Sequence, residues 1–117
     1  MSSASLNVSN FVTLRLRPEN YQLWREQVLA LAESQELTYF LIEENPCPVV
    51  VLPALDGNNP TANPAYKHWK TADRLLRGWI IGTLAEEALS HVIGLDTSAQ
   101  VWAALKEAYA QSKDYFQ

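Results

Sequence analysis

The chain has 117 residues, 48% hydrophobic and 19% charged, which fits one globular domain and excludes a disordered segment. A net charge of −4 and a pI of about 5.0 disfavour nucleic-acid binding by this segment alone, because holding phosphates calls for clustered positive charge. Its longest apolar runs, such as Val49 to Leu52 and Trp79 to Ile81, fall far short of the roughly 20 residues that cross a bilayer.

Residues 1–10 are small and polar and read as a loose arm. From Phe11 to Arg17, Val12, Leu14 and Leu16 alternate with Thr13, Arg15 and Arg17, the period of an extended segment. No second strand is evident for it to pair with. The segment is therefore either a strap over the helices or an assembly arm, built on Phe11, Val12, Leu14 and Leu16, that docks on a neighbouring subunit.

Pro18 and Asn20 then supply helix-start signals, and Tyr21, Trp24, Val28 and Leu31 recur on one face of the helix that follows, with Gln22, Arg25, Glu26 and Glu33 outward. A short second helix is expected over Leu37 to Glu43, with Leu37, Phe40 and Leu41 inward, before Pro46 and Pro48 stop it. Four prolines between Asn45 and Asn63, together with Asp56-Gly57-Asn58-Asn59, predict a long loop. Within it, Val49 to Leu52 is either a brief strand or an apolar pin holding the loop to the core.

Asn63-Pro64 restarts helical structure. Tyr66, Trp69, Leu76, Trp79, Ile80 and Thr83 form a wide stripe on the longest helix, and Leu75 and Ile81 widen it, as on a helix contacted from several sides. Thr83 with Glu86 has capping-box spacing and opens a short helix through Leu89 and Val92 that Gly94 closes. Asp96 and Thr97 with Gln100 cap a last helix carrying Val101, Trp102, Leu105 and Tyr109. The expected fold is thus all-α: a compact bundle of about five helices, with an extended N-terminal arm over 1–17, a helical domain over 18–111 containing a long Pro/Asn-rich loop, and a tail over 112–117.

No residue set announces chemistry. Glu87 and His91 stand four apart, as metal ligands on a helix do, but a zinc site needs a third protein ligand and His68 is the other histidine. Cys47, the single cysteine, excludes an internal disulfide and lies between two prolines, away from any helix N-terminus that would activate a thiol. The pairs Glu43-Glu44 and Glu86-Glu87 are sequence neighbours and point apart, where general acid and base would face each other. The tryptophans would stack bases only beside a cationic groove, and their helical spacing in an acidic chain favours packing. No catalytic residue, cofactor or metal is expected. Since the N-terminus carries no secretory pattern, the cytoplasm is the expected compartment.

The order and spacing of several motifs are familiar: Asn20-Tyr21-x-x-Trp24, Asn45-Pro46-Cys47-Pro48, Asn63-Pro64-x-Tyr66-x-x-Trp69, Leu75-Leu76-x-x-Trp79-Ile80, Leu84-x-Glu86-Glu87 and Ala99-x-Val101-Trp102-x-x-Leu105. From about Leu6 to Ala110 the chain resembles the N-terminal, capsid-like part of the Gag protein of copia-type LTR retrotransposons of plants. The resemblance implies an all-helical, non-catalytic domain that assembles with copies of itself into virus-like particles around element RNA. It carries over Tyr21, Trp24, Trp69, Trp79 and Trp102 as hydrophobic framework and implies a zinc knuckle further on, of which Cys47 is no remnant. With the core positions Val28, Leu31, Tyr66, Leu76, Ile80, Val101 and Leu105 added, the expected partners are other copies of the chain. The alternative is a domesticated host adaptor that binds a foreign protein or interferes with another Gag, since the family pattern continues into more helices beyond Gln117.

Overall fold

The computed structural model describes residues 7–42, 46–55, 57 and 59–110; the expected 112–117 tail, the first six residues of the arm and the Glu43-Glu44 pair lie outside them. Among the described residues there are four α-helices, α1 (Tyr21–Ser34), α2 (Pro64–Ile81), α3 (Glu86–Leu89) and α4 (Ser98–Tyr109), with a two-stranded antiparallel sheet of β1 (Val51–Leu52) and β2 (Thr61–Ala62). The fold is thus mostly helical with a small sheet, where the sequence leads one to expect an all-α bundle of about five helices. Flanking prolines and the left-handed Gly57, at φ 83°, turn the 45–63 loop back on itself, so that Val51 faces Ala62 and Leu52 faces Thr61.

The helix expected over 37–43 is a single 3-10 turn, Thr38–Leu41. Glu36 adopts φ 57° and Leu37 N–H bonds to Ala32 O at 2.8 Å, which closes α1 and leaves too little chain before Pro46 for a regular helix. The α2 start follows its local signals: Asn63 accepts from Ala65 N–H with Pro64 at the first helical position. In α4, Thr97 and Gln100 exchange the two bonds of a capping box.

The core lies where α1, α2 and α4 meet. Trp24, Val28, Leu31, Leu76, Ile80, Val101 and Leu105 are almost fully buried there, with Tyr21 beside them. Tyr66, Trp69, Trp79 and Trp102, expected in the same core, are only partly buried. Trp102 lies against Trp24 with ring centroids 5.7 Å apart, whereas Tyr66 and Trp69 form an outlying aromatic group with Phe40, whose ring is 6.1 Å from Trp69. Nor is α2 surrounded, because Leu75 is exposed and the buried residues of that helix, Asp73, Leu76 and Ile80, line one side.

Two buried polar junctions tie the helices together. Trp24 Nε1 donates to Thr83 Oγ1 at 3.0 Å, and that hydroxyl donates to Ile80 O at 2.7 Å. Thr83 is consequently not the N-cap of α3; that position belongs to Ala85. The second junction is Asp73, fully buried, which accepts from Ser98 N–H at 3.0 Å at the start of α4 and pairs with Arg74. A carboxylate at a helix N-terminus meets unpaired N–H groups and the positive end of the helix dipole, which offsets its desolvation.

Replacing Thr83 by Val removes the acceptor of a buried indole N–H and should lower stability by roughly 1–3 kcal/mol in urea unfolding. The same change in a Trp24→Phe background, where no donor is orphaned, should cost clearly less; an equal cost would show that the bond contributes nothing. Burial raises the Tyr21 phenol above its ordinary 10.0 against the opposing pull of the Arg25 charge, and burial, reinforced by the Glu87 charge, raises Tyr109. Both stay protonated in the folded chain at pH values where the unfolded chain ionises, so stability holds below pH 10 and falls as pH rises through the folded values. Thermal melts from pH 8 upward should show that fall, and Tyr109→Phe should flatten it.

Candidate interaction surface

The residues with reactive side chains are scattered. His68 is exposed on α2, Cys47 is exposed at the foot of the hairpin, and His91 lies edge-on to Tyr109 with centroids 5.4 Å apart. Among the described residues, no three His, Cys, Asp or Glu side chains converge as a metal site would require. Arg25 lies over the Trp102 ring at 6.0 Å beside Lys106, but Glu107 lines the same depression, so this corner offers no uniformly cationic platform for bases. No described helix is long and apolar enough to cross a membrane.

The strap is the first element of the surface. Leu16 N–H bonds to Thr83 O at 2.9 Å and Ala85 N–H to Leu16 O at 3.2 Å, a parallel bridge to Leu84 that fastens the extended segment to the loop after α2. Gln27 of α1 holds the other end, accepting from Thr13 and Leu14 N–H at 3.0 and 3.2 Å. Val12 and Leu16, expected as candidates for an assembly arm, are buried in the chain's own core, because period-two alternation turns them both inward. Leu14 is half-buried, and Phe11, 39% exposed, is the most accessible of the four.

Between this strap and the second half of α2 runs a groove of about 420 Å³. It is lined by Val8, Val12, Leu14 and Trp79, by the polar Ser9, Thr13 and Thr83, and by the glycines Gly78 and Gly82. Arg15 is the one charged residue among the described residues that line it, and its Nη1 donates to Gly82 O and Leu84 O at 3.3 and 3.4 Å. A Cβ built on Gly78 would meet nothing within 4 Å.

The hairpin is the second element. Val49, Val50, Val51 and Leu52, consecutive in sequence, and Leu55 three residues on are 60%, 55%, 50%, 39% and 68% exposed, with no charged residue from Pro46 to Leu55. Isolated surface leucines are ordinary, but an uninterrupted apolar patch marks a contact site. Asn63 fixes its foot: the side chain caps α2, its Nδ2 donates to Val49 O at 2.8 Å, and its backbone N–H donates to Val50 O at 3.0 Å. One residue thus starts a helix and anchors a hairpin. The sequence pattern marked Val49 to Leu52 as apolar without showing that it stays uncovered, and gave Gly78 no role.

No family model and no solved structure matches the chain. Among curated proteins it is 35% identical, over 107 residues and 90% of its own length, to the retrovirus-related Pol polyprotein from transposon RE2 of Arabidopsis thaliana. It is also 32% identical, over 111 residues and 93% of its length, to the corresponding polyprotein from transposon RE1 of the same plant. The chain spans about 7% of the length of each of these relatives. Similarity across nine-tenths of the chain supports its origin in a plant retrotransposon.

Proposed function

We propose that this chain is the N-terminal, capsid-like part of a copia-type Gag and that it acts in the cytoplasm, without catalysis, by making contacts between copies of itself. The observation that supports this reading is the apolar segment from Val49 to Leu55, which gathers five of the twelve exposed large hydrophobic side chains among the described residues into seven consecutive positions without a charge. Leaving five such side chains in water is unfavourable, and covering them in a partner recovers that free energy. The chain matches a small part, about 7%, of much longer retrotransposon polyproteins, which fits a module that has one mechanical task beside others. Buried junctions at Thr83 and Asp73 suit a rigid building block, since each polar group is satisfied within the fold and leaves the surface to make contacts.

Two like-charged copies of net charge −4 repel, so salt should favour the contact by screening that repulsion while strengthening apolar burial. Sedimentation of the whole chain, from about 10 μM to about 1 mM, should show an average mass rising above the 13.2 kDa monomer, more so at roughly 0.5 M than at 0.05 M salt. A mass fixed at 13.2 kDa in both salts would contradict the reading.

A further inference from the structure

The hairpin and the strap groove sit at opposite ends of the same helix. β2 ends at Ala62, Asn63 caps α2, and Gly78 lies 14 residues beyond Pro64, roughly 21 Å along the axis at 1.5 Å per residue. The exposed hairpin side chains show that the ribbon is not laid back along its own helix. A copy therefore leaves its own groove open.

Gly78 is the residue that a single copy does not explain. Glycine inside a helix costs about 0.5–1 kcal/mol against alanine, yet Gly78 takes no left-handed conformation and has open space where a Cβ would stand. Nothing within the fold needs the side chain to be absent. A bare stretch of helix between Trp79 and the strap does let an apolar group from outside rest on the backbone. Charge narrows the choice of visitor. The charged residue lining the groove is the cation Arg15, while the segment from Pro46 to Leu55 carries no charge and the residue that follows it, Asp56, is acidic, so this pairing sets opposite charges near each other and brings no two carboxylates together in an acidic chain. A groove of about 420 Å³ falls within the range that accommodates side-chain-sized apolar ligands, and Leu55 and Val51 are the exposed groups to fill it.

We propose that copies of this chain join head to tail, the apolar hairpin around Val51 and Leu55 of one copy seating in the strap groove over Gly78 of the next. This rests on the homotypic reading above and adds its geometry. A knob and a hole on separate surfaces make a heterologous contact, which propagates into rings or open chains and does not stop at a two-fold dimer.

The test uses two variants of the whole chain. Val51→Asp places a charge on an exposed knob, and Gly78→Leu fills the groove at a site where space is open and helix propensity improves, so both should fold as the parent does. In sedimentation velocity each alone should associate at least about tenfold more weakly than the parent. Their equimolar mixture should recover one-to-one complexes and nothing larger, because one variant keeps its groove and the other its hairpin. Ile93→Asp, at a residue 78% exposed elsewhere, should leave association unchanged. If Gly78→Leu associates like the parent, or the mixture stays monomeric while the parent associates, the head-to-tail contact is overturned and homotypic assembly stands. A parent that never associates overturns both.

Discussion

The structure depends on the hydroxyl of Thr83. It accepts the indole N–H of Trp24, a fully buried residue of α1, and donates to the carbonyl of Ile80 in the last turn of α2. The backbone carbonyl of the same threonine accepts from Leu16, and Ala85 two residues on donates back, so α1, α2 and the strap meet at one point. A tryptophan brings more apolar area to a small core than any other side chain, but its N–H is costly to bury without a partner. Thr83 removes that cost and in doing so fixes where the strap can lie. The groove exists because the strap is held there, a short distance above a helix face made bare by glycine.

Much of the helical frame was legible because its signals are local. Asn63-Pro64 and Thr97-x-x-Gln100 each specify a helix start through bonds within a few residues, and those bonds are present. The Thr83-x-x-Glu86 spacing carries the same local pattern yet has a different outcome, because a buried indole from a distant helix claims the hydroxyl first. Asp73 escaped notice for a related reason: a carboxylate in an amphipathic helix reads as surface, and only the start of α4 packed against it makes burial tolerable. Period-two alternation in the strap showed that Val12 and Leu16 share a face but not whether that face meets the chain's own helices or a neighbour's.

The candidate surface was less legible than the frame. Val49 to Leu52 stands out as an apolar run, but exposure follows from how the prolines and Gly57 turn the chain, and strand pairing with Thr61–Ala62 has no local signature. Gly78 is visible in the sequence, while its meaning depends on open space that only the fold defines. The aromatic residues divide along the same line. Tyr21 and Trp24 are buried as their spacing implies, whereas Tyr66 and Trp69 pack with Phe40 away from the main core, near the end of α2 from which the hairpin projects. This arrangement separates a rigid centre from a projecting ribbon and gives one small domain two unlike faces.

That the strap belongs to its own fold while hairpin and groove serve contacts between copies can be read directly by hydrogen–deuterium exchange across a concentration series. The amides of Leu16 and Ala85 should be protected at every concentration, and those of Val49 to Leu52 should gain protection as the chain is concentrated. Leu16 and Ala85 exchanging freely in dilute solution, and slowing only on concentration, would make the strap an exchanged arm and contradict the account.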